Sequence, residues 1–168
     1  MVKDLTPLLT KKFEELLVDE DFSLDSINRG GDEIVFPEPV RITGRLYRIE
    51  DDVVFFTGCL EGRLRTSCYR CLEPVEEDFT YDFDEVVYAP GKEDDYDLIV
   101  EPEGEAFEMD DFVVNVFHLK LPQSFLCDED CKGLCPTCGT NLNTSQCNCT
   151  DEKIDERFAM LKNLFNEQ

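Results

Sequence analysis

The spacing of apolar residues changes along the chain, from helical spacing near the N-terminus to strand-like alternation in the middle. Thr6-Pro7 fits a helix start, because a hydroxyl suits the N-cap and proline suits the first helical position. Apolar residues three or four positions apart then predict an amphipathic helix with the stripe Leu5, Leu8, Leu9, Phe13, Leu16 and Leu17. Gly30-Gly31 marks a break before a β-rich middle.

Alternation with a period of two predicts strands in the middle of the chain. Val40, Ile42 and Leu46 alternate with polar residues, and the acidic residues 50–52 fit a hairpin turn into the apolar run 53–56. The clearest strand has Val75, Phe79, Tyr81 and Phe83 alternating with Glu76, Asp78, Thr80, Asp82 and Asp84. One face of this strand is therefore expected to be solvated.

Two further helices are expected in the second half of the chain. Residues 92–111 carry ten carboxylates and the single cation Lys92, which is typical of a solvated loop. Asp110-Asp111 then caps an apolar segment that ends at Pro122, although its β-branched residues would also suit a strand. After Thr150, a last helix is predicted with the stripe Ile154, Phe158, Leu161 and Phe165.

Nine cysteines carry the candidate chemistry, and six of them lie within the 23 residues 127–149. In Cys135-Pro-Thr-Cys138-Gly139, two thiolates separated by two residues can bind one tetrahedral Zn²⁺, and the glycine allows a tight turn. A second pair, Cys68 and Cys71, lies between two predicted strands. Eight cysteines suffice for two Cys₄ zinc sites and leave Cys59 over: Cys68, Cys71, Cys127, Cys131, Cys135, Cys138, Cys147 and Cys149.

The pairing of these cysteines has two solutions. The preferred one joins Cys68 and Cys71 with Cys127 and Cys131, and joins Cys135 and Cys138 with Cys147 and Cys149. This pairing closes a long loop, which costs conformational entropy. Binding of structural zinc, which contributes on the order of 10 kcal/mol, can offset that cost. The alternative places the four cysteines of residues 127–138 in one site and leaves the last two unused.

Charge restricts the possible partners. The chain has 39 acidic and 16 basic residues and a formal net charge of −23, which repels nucleic-acid phosphates and anionic membranes and suits a basic protein partner. The start Met1-Val2-Lys3-Asp4 lacks a signal peptide, and no run of 18 apolar residues occurs. A reducing, cytoplasmic location is therefore expected, where clustered cysteines are more often metal ligands than disulfides.

One stretch is locally basic, because residues 41–70 contain six arginines and four acids. It is the single candidate for a patch that touches RNA. The simpler interpretation is that these arginines pair across strands with Glu76, Asp78 and Asp82.

The order of the motifs carries a family resemblance. The segments are Cys68-Tyr-Arg-Cys71-Leu72, Leu121-Pro122, the run from Cys131 to Asn143, and Cys147-Asn-Cys149. Together they resemble the YceD-like proteins, which are bacterial large ribosomal RNA subunit accumulation proteins with chloroplast relatives. The resemblance implies a non-enzymatic role in large-subunit ribosomal RNA accumulation, in a family whose gene commonly neighbours that of a small basic ribosomal protein. The chain departs from the pattern at Asn115-Val116, where such helices often carry a glutamate.

The predicted fold class is α+β, an antiparallel β-sheet with packed helices and a zinc-knuckle C-terminal segment. Residues 1–121 form the α+β domain with the Cys68/Cys71 knuckle, 122–150 the zinc-binding segment packed on it, and 151–168 a helix. The expected function is that of a factor with about two zinc ions that supports 23S ribosomal RNA synthesis, processing or accumulation. It would hold a basic large-subunit ribosomal protein or a pre-ribosomal particle, with direct RNA contact disfavoured by charge and no membrane contact.

Enzymatic function is not expected. His118 is the single histidine and lies on an apolar helix, and the sequence contains no nucleophile elbow, phosphate loop or His-Glu-x-x-His motif. Two alternatives remain at this point. One is a thiol-redox protein or redox-switched zinc chaperone, and the other is a zinc-ribbon adaptor in transcription or translation.

Overall fold

The computed structural model describes residues 1–49, 52–91 and 95–149, and this part is mostly antiparallel β-sheet with two helices. The elements are β1 (Val2–Asp4), α1 (Thr6–Leu9), β2 (Glu15–Phe22), β3 (Ser26–Arg29), β4 (Asp32–Val35), β5 (Val40–Arg48), β6 (Val54–Ser67), β7 (Pro74–Tyr88), β8 (Ala106–Glu108) and α2 (Met109–Lys120). The strands predicted from alternation in the middle of the chain are confirmed as β5, β6 and β7.

The long strand β6 organises the main sheet. Along one edge it pairs first with β5 and then, at Arg65, with Val35 of β4, while β7 follows its whole other edge. The strand order is β2-β5-β6-β4-β3, with β7 added on β6, and a separate two-stranded sheet joins β1 to β8. β6 and β7 are thus one long hairpin, and its connection, residues 68–73, carries Cys68 and Cys71.

The hydrophobic core lies between α2 and one face of the sheet. Phe112 of α2 packs with ring centroids 4.8 Å from Phe56 and 5.1 Å from Phe83, and Phe117 lies 5.3 Å from Phe79. Most of these contacts have the edge-to-face or tilted geometry that aromatic pairs prefer. The wet face predicted for β7 is confirmed, since Phe79 and Phe83 are buried whereas the alternating acids are exposed.

Charged side chains cover the opposite face of the sheet. Ion pairs on this face are Arg41–Asp19, Arg45–Glu15, Arg63–Asp78 and Arg65–Glu76. Arg48 pairs with Asp52 at the end of β5. The predicted pairing with β7 is right for Arg63 and Arg65. It is wrong for Arg41 and Arg45, because β5 lies between β6 and β2 and both arginines pair with acids of β2. It is also wrong for Arg48, which pairs with Asp52, and for Arg70, which donates to backbone oxygens.

The long N-terminal helix predicted from the apolar stripe is wrong. α1 ends after four residues, and Leu16 and Leu17 belong to β2, where they pair with Leu46 and Arg45 of β5. The predicted cap is also wrong, because Leu5 holds the N-cap position and the backbone N–H of Thr6 donates to the Asp4 carboxylate at 2.9 Å.

The acidic stretch 92–111 is only partly the loop that its charge predicts. Within this stretch, β8 forms a two-stranded sheet with β1, and the predicted helix α2 begins at Met109. Asp110 and Asp111 lie in the first turn of α2 rather than at its cap, because Glu108 holds the N-cap position. Asn115, at the position where the resembling helices often carry a glutamate, donates from Nδ2 to the backbone oxygen of Ile99 at 2.7 Å and ties α2 to this stretch.

Three predictions fall wholly or partly outside the described residues. They are the turn at residues 50–52, apart from Asp52, the loop character of residues 92–94, and the helix after Thr150. Among the described residues, no helix has the length and apolar character that crossing a membrane requires.

Candidate metal centres

The first candidate metal centre, here called group 1, joins the β6–β7 connection to the loop that follows α2. Cys68 and Cys71 come from the connection, and Cys127 and Cys131 come from the loop. Backbone hydrogen bonds hold the two segments together, with Tyr69 N–H donating to the Phe125 oxygen at 2.8 Å and Leu134 N–H to the Arg70 oxygen at 3.0 Å. The Arg70 guanidinium also donates to the Cys131 oxygen at 2.9 Å.

The sulfur positions of group 1 fit a tetrahedral zinc ion. Its four Sγ atoms all lie within 4.8 Å of one another. The Sγ atoms of Cys68 and Cys131 are 3.8 Å apart, and those of Cys71 and Cys127 are 3.5 Å apart. Four sulfurs at the usual Zn–S distance of about 2.3 Å in a tetrahedron are about 3.8 Å apart. All nine cysteines of the chain are free of disulfides.

The second candidate centre, group 2, lies within a short stretch of chain. Its members are Cys135, Cys138, Cys147 and Cys149, whose sulfur atoms also lie within 4.8 Å of one another. Gly139 has a φ of +74°, which glycine adopts without steric cost, and its N–H donates to the Cys135 oxygen at 2.8 Å. The turn foreseen from the Cys135–Gly139 motif is therefore present.

The surroundings of Cys68 favour its thiolate form, which is the form that binds metal. Burial raises the pKa of the Cys68 thiol, but hydrogen bonds from the backbone N–H groups of Cys127, Cys71 and Arg70 outweigh this and lower it to about 6. The neighbouring thiols Cys71 and Cys131 raise the pKa of Cys127 to about 12. Four sulfurs this close repel one another as thiolates, so a cation among them is strongly favoured.

Group 2 has the same electrostatic pattern but lies nearer the surface. Hydrogen bonds from the Thr140 hydroxyl and backbone N–H lower the pKa of Cys138 to about 6, and the Cys138 thiol raises the pKa of Cys149 to about 12. Cys138 and Cys149 are exposed, whereas three of the four cysteines in group 1 are buried. Group 1 is therefore part of the interior, and group 2 is a surface centre.

The eight cysteines singled out from the sequence thus lie in two groups of four, grouped as in the preferred pairing. The rival set of four contiguous cysteines is not the one that the fold brings together. Cys59 belongs to neither group and lies half-buried on β6. Two all-thiolate sets of this size suit zinc, and both could hold a metal ion.

Sequence reasoning missed Asn143, which connects the two centres. It lies in the loop of group 2 between Cys138 and Cys147, yet its Nδ2 donates to the Sγ of Cys131 in group 1 at 3.2 Å. Its Oδ1 accepts from the Lys132 backbone N–H at 2.7 Å. An asparagine between ligand pairs was visible in the motif, but spacing could not reveal which sulfur it would reach.

We expect Asn143→Ala to weaken metal binding at group 1, because a hydrogen bond to a ligand sulfur stabilises the thiolate. The expected loss of affinity is about 10- to 100-fold. It can be measured by titrating the reduced chain with Co²⁺ and following sulfur-to-cobalt charge-transfer absorption against a competing chelator. Asn143→Asp keeps the acceptor for Lys132 N–H and removes the donor, so full cobalt affinity in this variant would reduce Asn143 to a loop-positioning role.

Comparison with known proteins identifies the family. A family model described as large ribosomal RNA subunit accumulation protein YceD matches residues 56–165, which is more than half of the chain. The chain belongs to the YceD family. The matched YceD region begins within β6 and contains all eight cysteines of the two groups. No solved structure matches the chain.

Relatives in plants and mycobacteria carry parts of the same YceD sequence. The chain is 35% identical over 63 residues to the chloroplastic large ribosomal RNA subunit accumulation protein YCED homolog 1 of Arabidopsis thaliana, covering 38% of this chain and 20% of that protein. It is 26% identical over 147 residues to the Zea mays protein of the same name, a match that covers 63% of this chain and 48% of that protein. An uncharacterized protein of Mycobacterium tuberculosis is 33% identical over 116 residues, which cover 64% of this chain and 54% of that protein. The chain therefore spans about half, or less, of the length of these relatives.

Proposed function

We propose that this chain is a non-enzymatic, zinc-binding factor that supports large-subunit ribosomal RNA accumulation by holding a basic protein of the large ribosomal subunit. The description of the YceD family supports the role in ribosomal RNA accumulation. The net charge of −23 supports a basic partner, because opposite charge speeds association and like charge repels RNA.

The ion pairs of the arginines are the observation that favours a protein rather than RNA as the binding partner. Five of the six arginines in residues 41–70 form ion pairs with carboxylates. The sixth, Arg70, donates to the backbone oxygens of Glu129 and Cys131. Exposed pairs of this kind add little stability, but they cancel the local positive charge. A phosphate backbone would have to compete with these carboxylates for each arginine.

The chemistry of the remaining side chains supports a non-enzymatic role. A metal ion bound by four cysteines has no open position for a reacting water. His118 is exposed on α2, as expected of an edge residue rather than of a buried general base.

A thiol-redox function is less well supported than the holding role. With both groups occupied by metal, Cys59 would be the thiol left for redox chemistry. Burial, together with the charges of Glu61 and Asp82, raises the pKa of the Cys59 thiol, so little nucleophilic thiolate forms near neutral pH.

The proposal predicts tight, salt-sensitive binding to a protein and weak binding to RNA. The immobilised chain is first exposed to proteins extracted from purified large ribosomal subunits, and retained proteins are identified by mass spectrometry. The affinity for a retained, purified protein and for a large-subunit ribosomal RNA fragment is then measured at low and high salt. We expect the retained large-subunit protein to bind the chain more tightly than the RNA fragment does. Its affinity for the chain should fall at least roughly tenfold when salt is raised.

The double variant Arg63→Ala, Arg65→Ala is the matched control. Both arginines are already paired, so protein binding is expected to change little. Tight RNA binding that disappears in this double variant would overturn the holding role and make the charged face of the sheet an RNA-binding surface.

A further inference from the structure

Two large apolar side chains are exposed on the Cys68–Leu72 turn, which we call the knuckle. Tyr69 is 70% exposed and Leu72 is 65% exposed, although Cys68 and Cys71 beside them are buried. The core and the candidate metal centre therefore account for the cysteines of the knuckle and leave these two side chains unexplained.

Leu72 also has a backbone conformation that leucine disfavours. Its φ is +61°, in the left-handed region where a side chain beyond Cβ is sterically costly. The second turn of this kind in the chain has glycine at the corresponding position, Gly139, with a φ of +74°. The two turns share their hydrogen bond, since Leu72 N–H donates to the Cys68 oxygen at 2.9 Å and Gly139 N–H to the Cys135 oxygen at 2.8 Å.

Comparing the Leu72 and Gly139 turns shows which feature the backbone of the turn requires and which belongs to the leucine side chain alone. The turn requires a left-handed residue after its second cysteine, and glycine meets that need in group 2 without cost. Leucine meets the same need with strain, and its exposed side chain gains little burial in return. Strained residues of this kind concentrate at functional sites, so a contact outside the chain is a physical reason for leucine at this position.

The knuckle is held firmly and is bordered by acids. Arg70 is directed to the Cys127–Cys131 loop, where it donates to the Glu129 oxygen at 3.1 Å, so Tyr69 and Leu72 are presented by a pre-organised turn. The exposed carboxylates in these segments are Glu73, Asp128, Glu129 and Asp130, and the exposed cations beside them are Lys132 and Arg70. Arg70 is already hydrogen-bonded to the Cys127–Cys131 loop, so carboxylates remain in excess. An apolar pair with an acidic border is complementary to a basic protein segment that also presents apolar side chains.

We propose that the knuckle is the docking surface for the basic partner protein, with Tyr69 and Leu72 as its apolar anchors and the surrounding carboxylates as its charged rim. This inference rests on the proposed function and adds the place where the partner binds. RNA is disfavoured as the occupant because the rim would repel its phosphates.

Substitution of Leu72 separates docking from folding. Leu72→Gly and Leu72→Asn remove the apolar side chain and suit the left-handed conformation, so both variants are expected to retain metal and to unfold at an unchanged or higher temperature. The probe is the large-subunit protein that the unaltered chain retains, and its Kd is measured by titration. We expect each variant to raise this Kd by about tenfold or more, and Tyr69→Ala to do the same.

Leu119→Ala is the matched control, because Leu119 is 64% exposed on α2 and lies outside the knuckle. Its Kd is expected to equal that of the unaltered chain. The triple variant Asp128→Asn, Glu129→Gln, Asp130→Asn should flatten the salt dependence of binding.

The outcomes distinguish this inference from the function on which it rests. If the unaltered chain binds and both Leu72 variants bind equally well, the docking surface is overturned and the proposed function stands. If the unaltered chain binds no basic large-subunit protein, both are overturned. If it binds the ribosomal RNA fragment instead, and the Leu72 and Tyr69 variants abolish that binding, the knuckle is an RNA-binding surface and the protein-docking proposal is wrong.

Discussion

Replacing Cys71 by serine is expected to lower the zinc content of the reduced chain from about two ions to about one and to destabilise the whole sheet. Group 1 joins cysteines that are 56 and 63 residues apart in the sequence, and it closes the end of the longest hairpin against the loop after α2. Losing its metal leaves buried thiols without a partner and frees that loop. We expect the free energy of unfolding to fall by roughly 3 kcal/mol or more.

Elemental analysis of purified protein gives the zinc content, and urea unfolding followed by circular dichroism gives the stability. Cys138→Ser in group 2 is the informative comparison. It should also remove one zinc ion, but at a cost to the sheet of less than about 1 kcal/mol, because group 2 is confined to a surface segment. Cys59→Ala should retain both ions.

Three results would contradict this account of the metal centres. About one zinc ion in the unaltered, fully reduced chain would mean that only one group binds metal, and none would remove zinc from the proposed function. Loss of zinc in Cys59→Ala together with full retention in Cys147→Ser would show that the assignment of ligands is wrong.

Alanine at Gly58 is expected to destabilise the fold by roughly 4 kcal/mol or more. Gly58 lies opposite Gly44 in the β5–β6 pair, and a Cβ atom at Gly58 would lie 2.1 Å from the Thr43 backbone oxygen and 2.7 Å from the Gly44 Cα. Both atoms are backbone, so they can move only if the strands separate. The loss is measured by urea unfolding, at unchanged zinc occupancy.

Gly62→Ala on the same strand is the control for this substitution. The atom nearest to a Cβ at Gly62 is Cζ of the Phe79 ring, at 3.0 Å, and a ring can shift where backbone cannot. We expect a smaller loss, roughly 1–2 kcal/mol. A loss below about 1 kcal/mol for Gly58→Ala would show that the two strands separate easily at this point and that the paired glycines are not needed for their close approach.

Local patterns were sufficient for those elements in which a single period fits the residues. The alternation of apolar and polar residues in 75–83 does not fit the period of a helix, and these residues lie within β7. Asp110 and Asp111 indicated where α2 begins, although they lie in its first turn and not at its cap, and Pro122 indicated where it ends. The Cys135–Gly139 motif specified its own turn, because all the atoms of that turn lie within five residues.

Local patterns failed where one spacing fits two structures. Leu16 and Leu17 continue the helical stripe from Leu8. Leu16 also lies two positions before Val18, which is the spacing of a strand face. The choice is made by β5, which pairs with β2 along its whole length. In the same way, Arg41 and Arg45 find their acids on β2, a neighbour that only the strand order reveals.

The sequence by itself determined the residues that can bind metal, the strands of the central hairpin, the acidic character of the surface and the family. These follow from residue type, local spacing and the order of motifs along the chain, none of which depends on how distant segments pack. The tertiary structure alone decided how the eight cysteines divide, because the hydrogen bonds between the β6–β7 connection and the loop after α2 join segments distant in sequence. It also revealed the link from Asn143 to Cys131 and the strained, exposed Leu72, since a side chain's partners and its backbone angle exist only in the folded chain.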